Sequence, residues 1–248
     1  MNTLKTLFLA WKSPNNTSWF PIGRLTYNGE NYKFVYLQGA KKAQNQSDFV
    51  PLISFPCLDN VYTSKELFPL FANRLISSSR PDYASFIQWL NMTQYKNDHI
   101  ALLGRSGGER QTDTLTIFPY PELDEKGFYN LHFFAKGLSH LPESNIQRIQ
   151  HLQPSEKLWL DHEFKNSYNS QTITLKTVDN YIVGYVPYHL LSDVEKILQK
   201  NSHFVDVCVD HINPSSTPLQ FRLLCKIIAK SEDNFLPFNE PEYQLVNS

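Results

Sequence analysis

Residues 120–127, YPELDEKG, constrain the fold of this chain more than any other stretch. The segment is acidic, contains Pro121 and ends in Gly127, the composition of an exposed linker. It divides 248 residues near their middle, so each half has the length of an ordinary small domain. With 41% apolar and 14% aromatic residues, both halves can bury a core, which excludes a disordered chain. The halves differ in charge. Residues 1–120 carry 12 Lys/Arg against 8 Asp/Glu, a net of +4; residues 121–248 carry 11 against 16, a net of −5. A nucleic-acid site in the second half must therefore be local, without a broad basic field behind it.

Before the linker, alternating apolar residues predict strands at 5–11, 20–27 and 32–38, with Asn28-Gly29 as the hairpin turn between the last two. Residues 41–48 read as a polar loop and 50–55 as a run edged by prolines. Ser64 is a candidate N-cap for a helix over KELFPLFANRL, Pro81 opens a second helix, PDYASFIQWL, and 98–103 form a third that stops at Gly104. DTLTIFPYP reads as a strand ended by its prolines. Past the linker, strands are expected at 128–135, 157–163, 172–177, 181–186, 204–209 and 221–229, with helices at 143–150 and 188–200. Mostly strands with two helices point to a small β-barrel-like domain. From Ser231 the chain is polar and reads as an extended arm. The expected fold class is α+β with two domains, 1–120 and 128–230, a linker at 121–127 and a tail at 231–248.

The sequence carries no Walker-type loop, nucleophile elbow or HExxH motif. Cys57, Cys208 and Cys225 are too few and too far apart for a disulfide framework or a zinc motif, which predicts a reducing, cytoplasmic setting. Seven of the eight histidines lie between His132 and His211, yet no two have the i,i+3 or i,i+4 spacing of helical zinc ligands. Asp161 and Glu163 share a strand face, but nothing supplies a pocket for acid–base work. The expectation is a non-enzymatic protein without metal or cofactor; an enzyme using the histidine-rich half is the weakest alternative. The opening run MNTLKTLFLAWKSP is broken by Lys5 and Lys12 and is too short to span a bilayer, so no membrane partner is expected. Arg105, Ser106, Gly107, Gly108 and Arg110 form a candidate anion-binding turn, in which small residues offer backbone N–H groups beside two arginines. The same residues also read as a helix C-cap and a tight turn into a strand.

The second half resembles a HIRAN domain. It runs LQPSEKL from Leu152, EFKNSYNSQTI from Glu163 and VGYVP from Val183, followed by the helix from Tyr188. Ala135-Lys136-Gly137 supplies the glycine that follows the family's first strand. The likeness covers roughly 128–230 and implies an OB-type β-barrel with short helices. It also implies a pocket for the 3′ end of single-stranded DNA, built from the loop after the first strand and the NSYN loop. By position, Asn166 and Tyr168 match the family run, Asn169 stands in place of an Asp, and Gln171 in place of an Asn. Ser139 and His140 stand where DNA-binding members place a basic residue and an aromatic, and Tyr188 where some place a lysine. The resemblance thus implies His140, Lys165, Asn166, Tyr168, Asn169 and Tyr188 as nucleic-acid-binding residues, with Lys165, and Lys136 more distantly, as the cations for phosphate.

Residues 5–120 resemble the N-terminal subdomain of HipA-type serine kinases, a small β-sheet with helices. The match rests on Ile22-Gly23-Arg24-Leu25, Phe71, Asn73, Leu75, Asp98, Leu102, Leu103 and Gly107, with Ile76 where the pattern has a proline. A HIRAN-like module follows where the kinase core would, so no kinase activity is implied. Two readings result. One is a non-enzymatic protein that engages single-stranded DNA through its second domain and uses the first for interaction. The other is an antitoxin-like regulatory partner of a HipA-type serine kinase.

Overall fold

Antiparallel strands account for both sheets of this chain. In the computed structural model, residues 5–16, 18–163, 172–201, 205–230 and 236–247 are described. The class is α+β: one five-stranded sheet, a seven-stranded sheet curled into a half-barrel, and six α-helices among the described residues. The chain divides into two units, Met1–Gln88 with Met92–Tyr120 and Leu236–Ser248, and Trp89–Asn91 with Pro121–Phe235. No helix among the described residues is long and apolar enough to cross a membrane.

In the first unit the strands β1 (Lys5–Lys12), β2 (Trp19–Tyr27), β3 (Tyr32–Tyr36), β4 (Tyr62–Ser64) and β5 (Leu115–Pro119) lie in the order β4-β3-β2-β1-β5. Alternation sets the two faces. Leu7, Leu25, Phe34 and Tyr62 stand in one cross-strand row and face the core. There they meet Phe55, stacked on Phe34 at 4.0 Å between ring centroids, and Phe71. Residues 41–48 are not a loop: 41–47 belong to α1 (Gln38–Ser47), which Asp48 caps and whose buried side is Gly39, Ala40, Ala43 and Ser47. A stripe of such small residues gives little hydrophobic period to read, but it lets the helix lie close against β2. Residues 50–55 form no strand. They are held by the buried Tyr36 hydroxyl, which accepts from the Leu52 N–H and donates to the Phe55 carbonyl, each at 2.8 Å. The expected helix from Ser64 shrinks to α2 (Pro69–Ala72), because Ser64 ends β4 and Pro69 holds Phe68 in an extended conformation. The other helices are α3 (Tyr83–Trp89) and α4 (His99–Ser106), with the Asp98 carboxylate capping Ala101 N–H at 3.1 Å.

The C-terminal residues do not extend away as an arm. Phe238 is buried, with ring centroids 5.3 Å from both Phe8 and Phe118 and 5.1 Å from Tyr243. The Gln38 N–H donates to the Gln244 carbonyl at 2.8 Å and the Val246 N–H to that of Tyr36 at 3.2 Å. A single phenylalanine in a polar stretch carries no periodic signal; only the aromatic face waiting on β1 and β5 makes its burial favourable.

The second unit contains β6 (Glu122–Leu123), β7 (Phe128–Phe134), β8 (Lys157–Glu163), β9 (Thr172–Lys176), β10 (Ile182–Tyr185), β11 (Val205–Ile212) and β12 (Leu223–Lys230), in the order β10-β9-β8-β11-β12-β7-β6. The segment read as linker supplies β6 and a turn in which the Asp124 carboxylate accepts from the Lys126 and Phe128 N–H groups at 2.9 Å. Helix α5 (Glu143–Gln150) is fastened through Arg148, which reaches Glu156 ahead of β8 at 2.6 Å and Asp179 in the β9–β10 turn at 2.9 Å. The guanidinium holds the Asp179 carboxyl well down, at about 2. Helix α6 (Tyr188–Asn201) buries Leu190 and Val194.

Candidate nucleic-acid interface

The half-barrel curls until the end of β10 reaches the segment that follows β7. Past β7, Lys136 pairs with Tyr185 at the end of β10, each N–H donating to the other's carbonyl at 3.0 Å. Two glycines permit this approach. Gly184 has a φ of 150°, and a Cβ there would stand 2.7 Å from the Ala135 Cβ. Gly137 has a φ of 74°, and a Cβ there would stand 2.7 Å from the Tyr185 ring. The VGYVP run completes the framework: Val183 and Val186 are buried, and the Val186 N–H donates to the Ile173 carbonyl at 2.9 Å.

Several chain segments converge at this end of the sheet. Glu163 and Thr172 pair across β8 and β9, Tyr185 faces Thr174 on β9, and α6 begins three residues after Tyr185. Tyr188 in the first turn of α6 is half exposed. Gly137 leads into a short 3-10 turn, Leu138–His140, with Leu138 buried and Ser139 and His140 exposed. Lys165, Asn166, Tyr168 and Asn169 lie outside the described residues; Glu163 and Thr172 are the described residues on either side.

An electrostatic proximity absent from the sequence reading is that of Lys136 to His189, the second residue of α6. Burial, and next the charge of Lys136, push the His189 pKa down to about 3, so the imidazole is neutral at physiological pH. The two residues are far apart in the chain and share no motif, so no sequence signal joins them.

No protein-family model matches the chain, and no curated protein matches it. A solved structure of a protein from Lactobacillus plantarum, a structural-genomics target, covers 42% of this chain and 99% of its own at 12% identity. Its TM-score of 0.32 carries no argument about fold or function.

The Arg105–Arg110 turn lies in the other unit. Gly107, φ 77°, is the C-cap of α4: its N–H donates to Leu103 at 3.0 Å, and that of Gly108 donates to the Ser106 hydroxyl at 3.3 Å. The Gly108 carbonyl accepts from Arg74 at 2.8 Å, and Arg74 pairs with Asp113 at 2.6 Å. The two glycine N–H groups are therefore spent on closing the helix. Of the sequence-expected residues, the structure brings Tyr188 and His140 to one end of the half-barrel, while 105–110 belong to the first unit. Among the described residues no group of three His, Cys, Asp or Glu side chains has the geometry to hold a metal ion.

Proposed function

We propose that the second unit is a HIRAN-like, OB-type module that engages the 3′ end of single-stranded DNA without catalysing a reaction, and that the first unit serves interaction. The observation that supports this reading is the convergence at one end of the half-barrel. The Lys136–Gly137 turn, the end of β10, Tyr188 on α6 and the residues bracketing the NSYN segment all meet there. In this reading Tyr168 stacks on a base, worth roughly 1–3 kcal/mol, while Asn166, Asn169 and His140 recognise the sugar and its terminal hydroxyl. Lys136 and Lys165 meet the phosphate, so affinity falls with salt. Fluorescence anisotropy with single-stranded oligonucleotides bearing a free or a phosphate-blocked 3′ end tests it. The free end is expected to bind more tightly, and Tyr168→Ala to weaken binding by about tenfold or more. Binding at low salt that ignores both changes, or no binding, overturns the reading.

The antitoxin-like reading is favoured by a different observation. In the first unit, Val50, Ile53 and Val61 are exposed (Ile53 at 99%) on a loop whose Phe49 and Phe55 are buried and whose backbone is tied to Tyr36. Apolar side chains held outward in this way suit a protein partner, here a HipA-type kinase. A kinase that co-purifies with the wild-type protein and is lost with Ile53→Asp supports it; recovery of no kinase removes it.

A further inference from the structure

The outer face of the five-stranded sheet has two halves of different chemistry. Over β1 and β5 it is aromatic, with Phe8 and Phe118 covered by Phe238. Over β2, β3 and β4 it is polar apart from the buried Val35. Thr26, Lys33 and Thr63 stand in one cross-strand row, and with Asn28 and Asn31 of the hairpin they line a cavity of about 450 Å³. No carboxylate is among these lining residues. Asn28 spends its carbonyl oxygen on the Glu30 and Asn31 N–H groups at 3.0 and 2.8 Å, which leaves its NH₂ as a donor.

Two cations share this face, and neither forms an ion pair among the described residues; the acid of the adjoining hairpin, Glu30, is exposed. Lys33 makes no ion pair or hydrogen bond there. Arg24, two residues from Thr26 on the same face and opposite Val35, is half-buried with its Nε unpartnered, and burial lowers its pKa. Arg24 lies beside the cavity and not in its lining, but it and Lys33 are diagonal cross-strand neighbours, a spacing that one small anion bridges with long side chains. A guanidinium drawn partly out of water without an anion is unfavourable, and an oxyanion relieves that cost while accepting charge-assisted hydrogen bonds. The cavity is in the size range of small-ligand sites and larger than a phosphate needs. Its remaining lining, hydroxyls and amides without an aromatic ring, matches a polyhydroxylated body.

We propose that this face binds a small sugar phosphate, with the phosphate between Lys33 and Arg24 and the sugar hydroxyls on Thr26, Thr63, Asn28 and Asn31. The site is independent of the DNA-end reading and lies in the other unit. Isothermal titration of the full chain with ribose 5-phosphate, inorganic phosphate and ribose tests it. Ribose 5-phosphate is expected to bind saturably at millimolar concentration or below and more tightly than inorganic phosphate, with ribose alone silent. Lys33→Gln, an exposed substitution that leaves the core intact, is expected to weaken the ester by about tenfold, the loss of one charge-assisted hydrogen bond. Arg24→Gln is expected to do the same, with circular dichroism checking that it folds. Three results overturn the proposal: no saturable binding of the ester, an affinity unchanged by Lys33→Gln, or inorganic phosphate binding as tightly as the ester. A short oligonucleotide that displaces the ester and binds more tightly assigns the site to a nucleic-acid backbone and overturns it as well.

Discussion

His189 shows how far a single residue's chemistry departs from what its type suggests. A histidine in a polar stretch ordinarily titrates near neutrality, but here burial and Lys136 hold it at about 3. Because the folded-state value lies below the unfolded one, the unfolded chain takes up the proton first. The stability tied to neutral His189 is whole above about pH 6.5 and is lost as the pH falls towards 3, at up to about 1.4 kcal/mol per pH unit. Urea denaturation of wild type and His189→Gln should therefore diverge with acid. From about pH 6.5 to about pH 5 the variant is expected to lose about 2 kcal/mol less than the wild type. Equal losses would show that the imidazole is not held neutral. At this scale the sequence was legible where one residue type is required by one backbone position. Gly137 and Gly184 are such residues, each with a positive φ and a neighbour too close for a Cβ. The Lys136–His189 proximity was not legible, since it arises only where the curled sheet brings the start of α6 to the turn after β7.

Elements with a strong period of their own could be read closely. The stretches 143–150 and 157–163 coincide with α5 and β8, whereas the helix expected over 98–103 runs past Gly104 to Ser106, with Asp98 as its cap. Two of the misread elements share a cause: their burial depends on a partner surface rather than on their own pattern. Helix α1 buries only small residues, and the C-terminal segment buries Phe238 and Val246 from an otherwise polar run. Phe238 also has a φ of 52°, a left-handed conformation that a side chain tolerates only when its surroundings repay the strain. Phe238→Ala is expected to cost about 3–5 kcal/mol, the range for emptying a buried aromatic site. It should also raise binding of an apolar dye as Phe8 and Phe118 are uncovered. A loss below 1 kcal/mol in urea denaturation would mean that the aromatic face is closed without this ring.

For the molecule as a whole, the return of residues 236–247 makes the second unit an insertion within the first. The first unit therefore includes residues on both sides of the second, and a reading that moves along the sequence sees two consecutive domains instead. The sequence alone determined the α+β class, the position of the acidic segment near the mid-chain boundary and most strands of both sheets, because alternation, turn residues and caps act within a few residues of one another. The tertiary structure alone decided where Phe238 is buried, that the half-barrel curls until Lys136 meets Tyr185, and that Arg24 and Lys33 share one face. Those features depend on contacts between residues distant in sequence. Their free energies come from desolvation and charge proximity, which exist only once the sheets have formed.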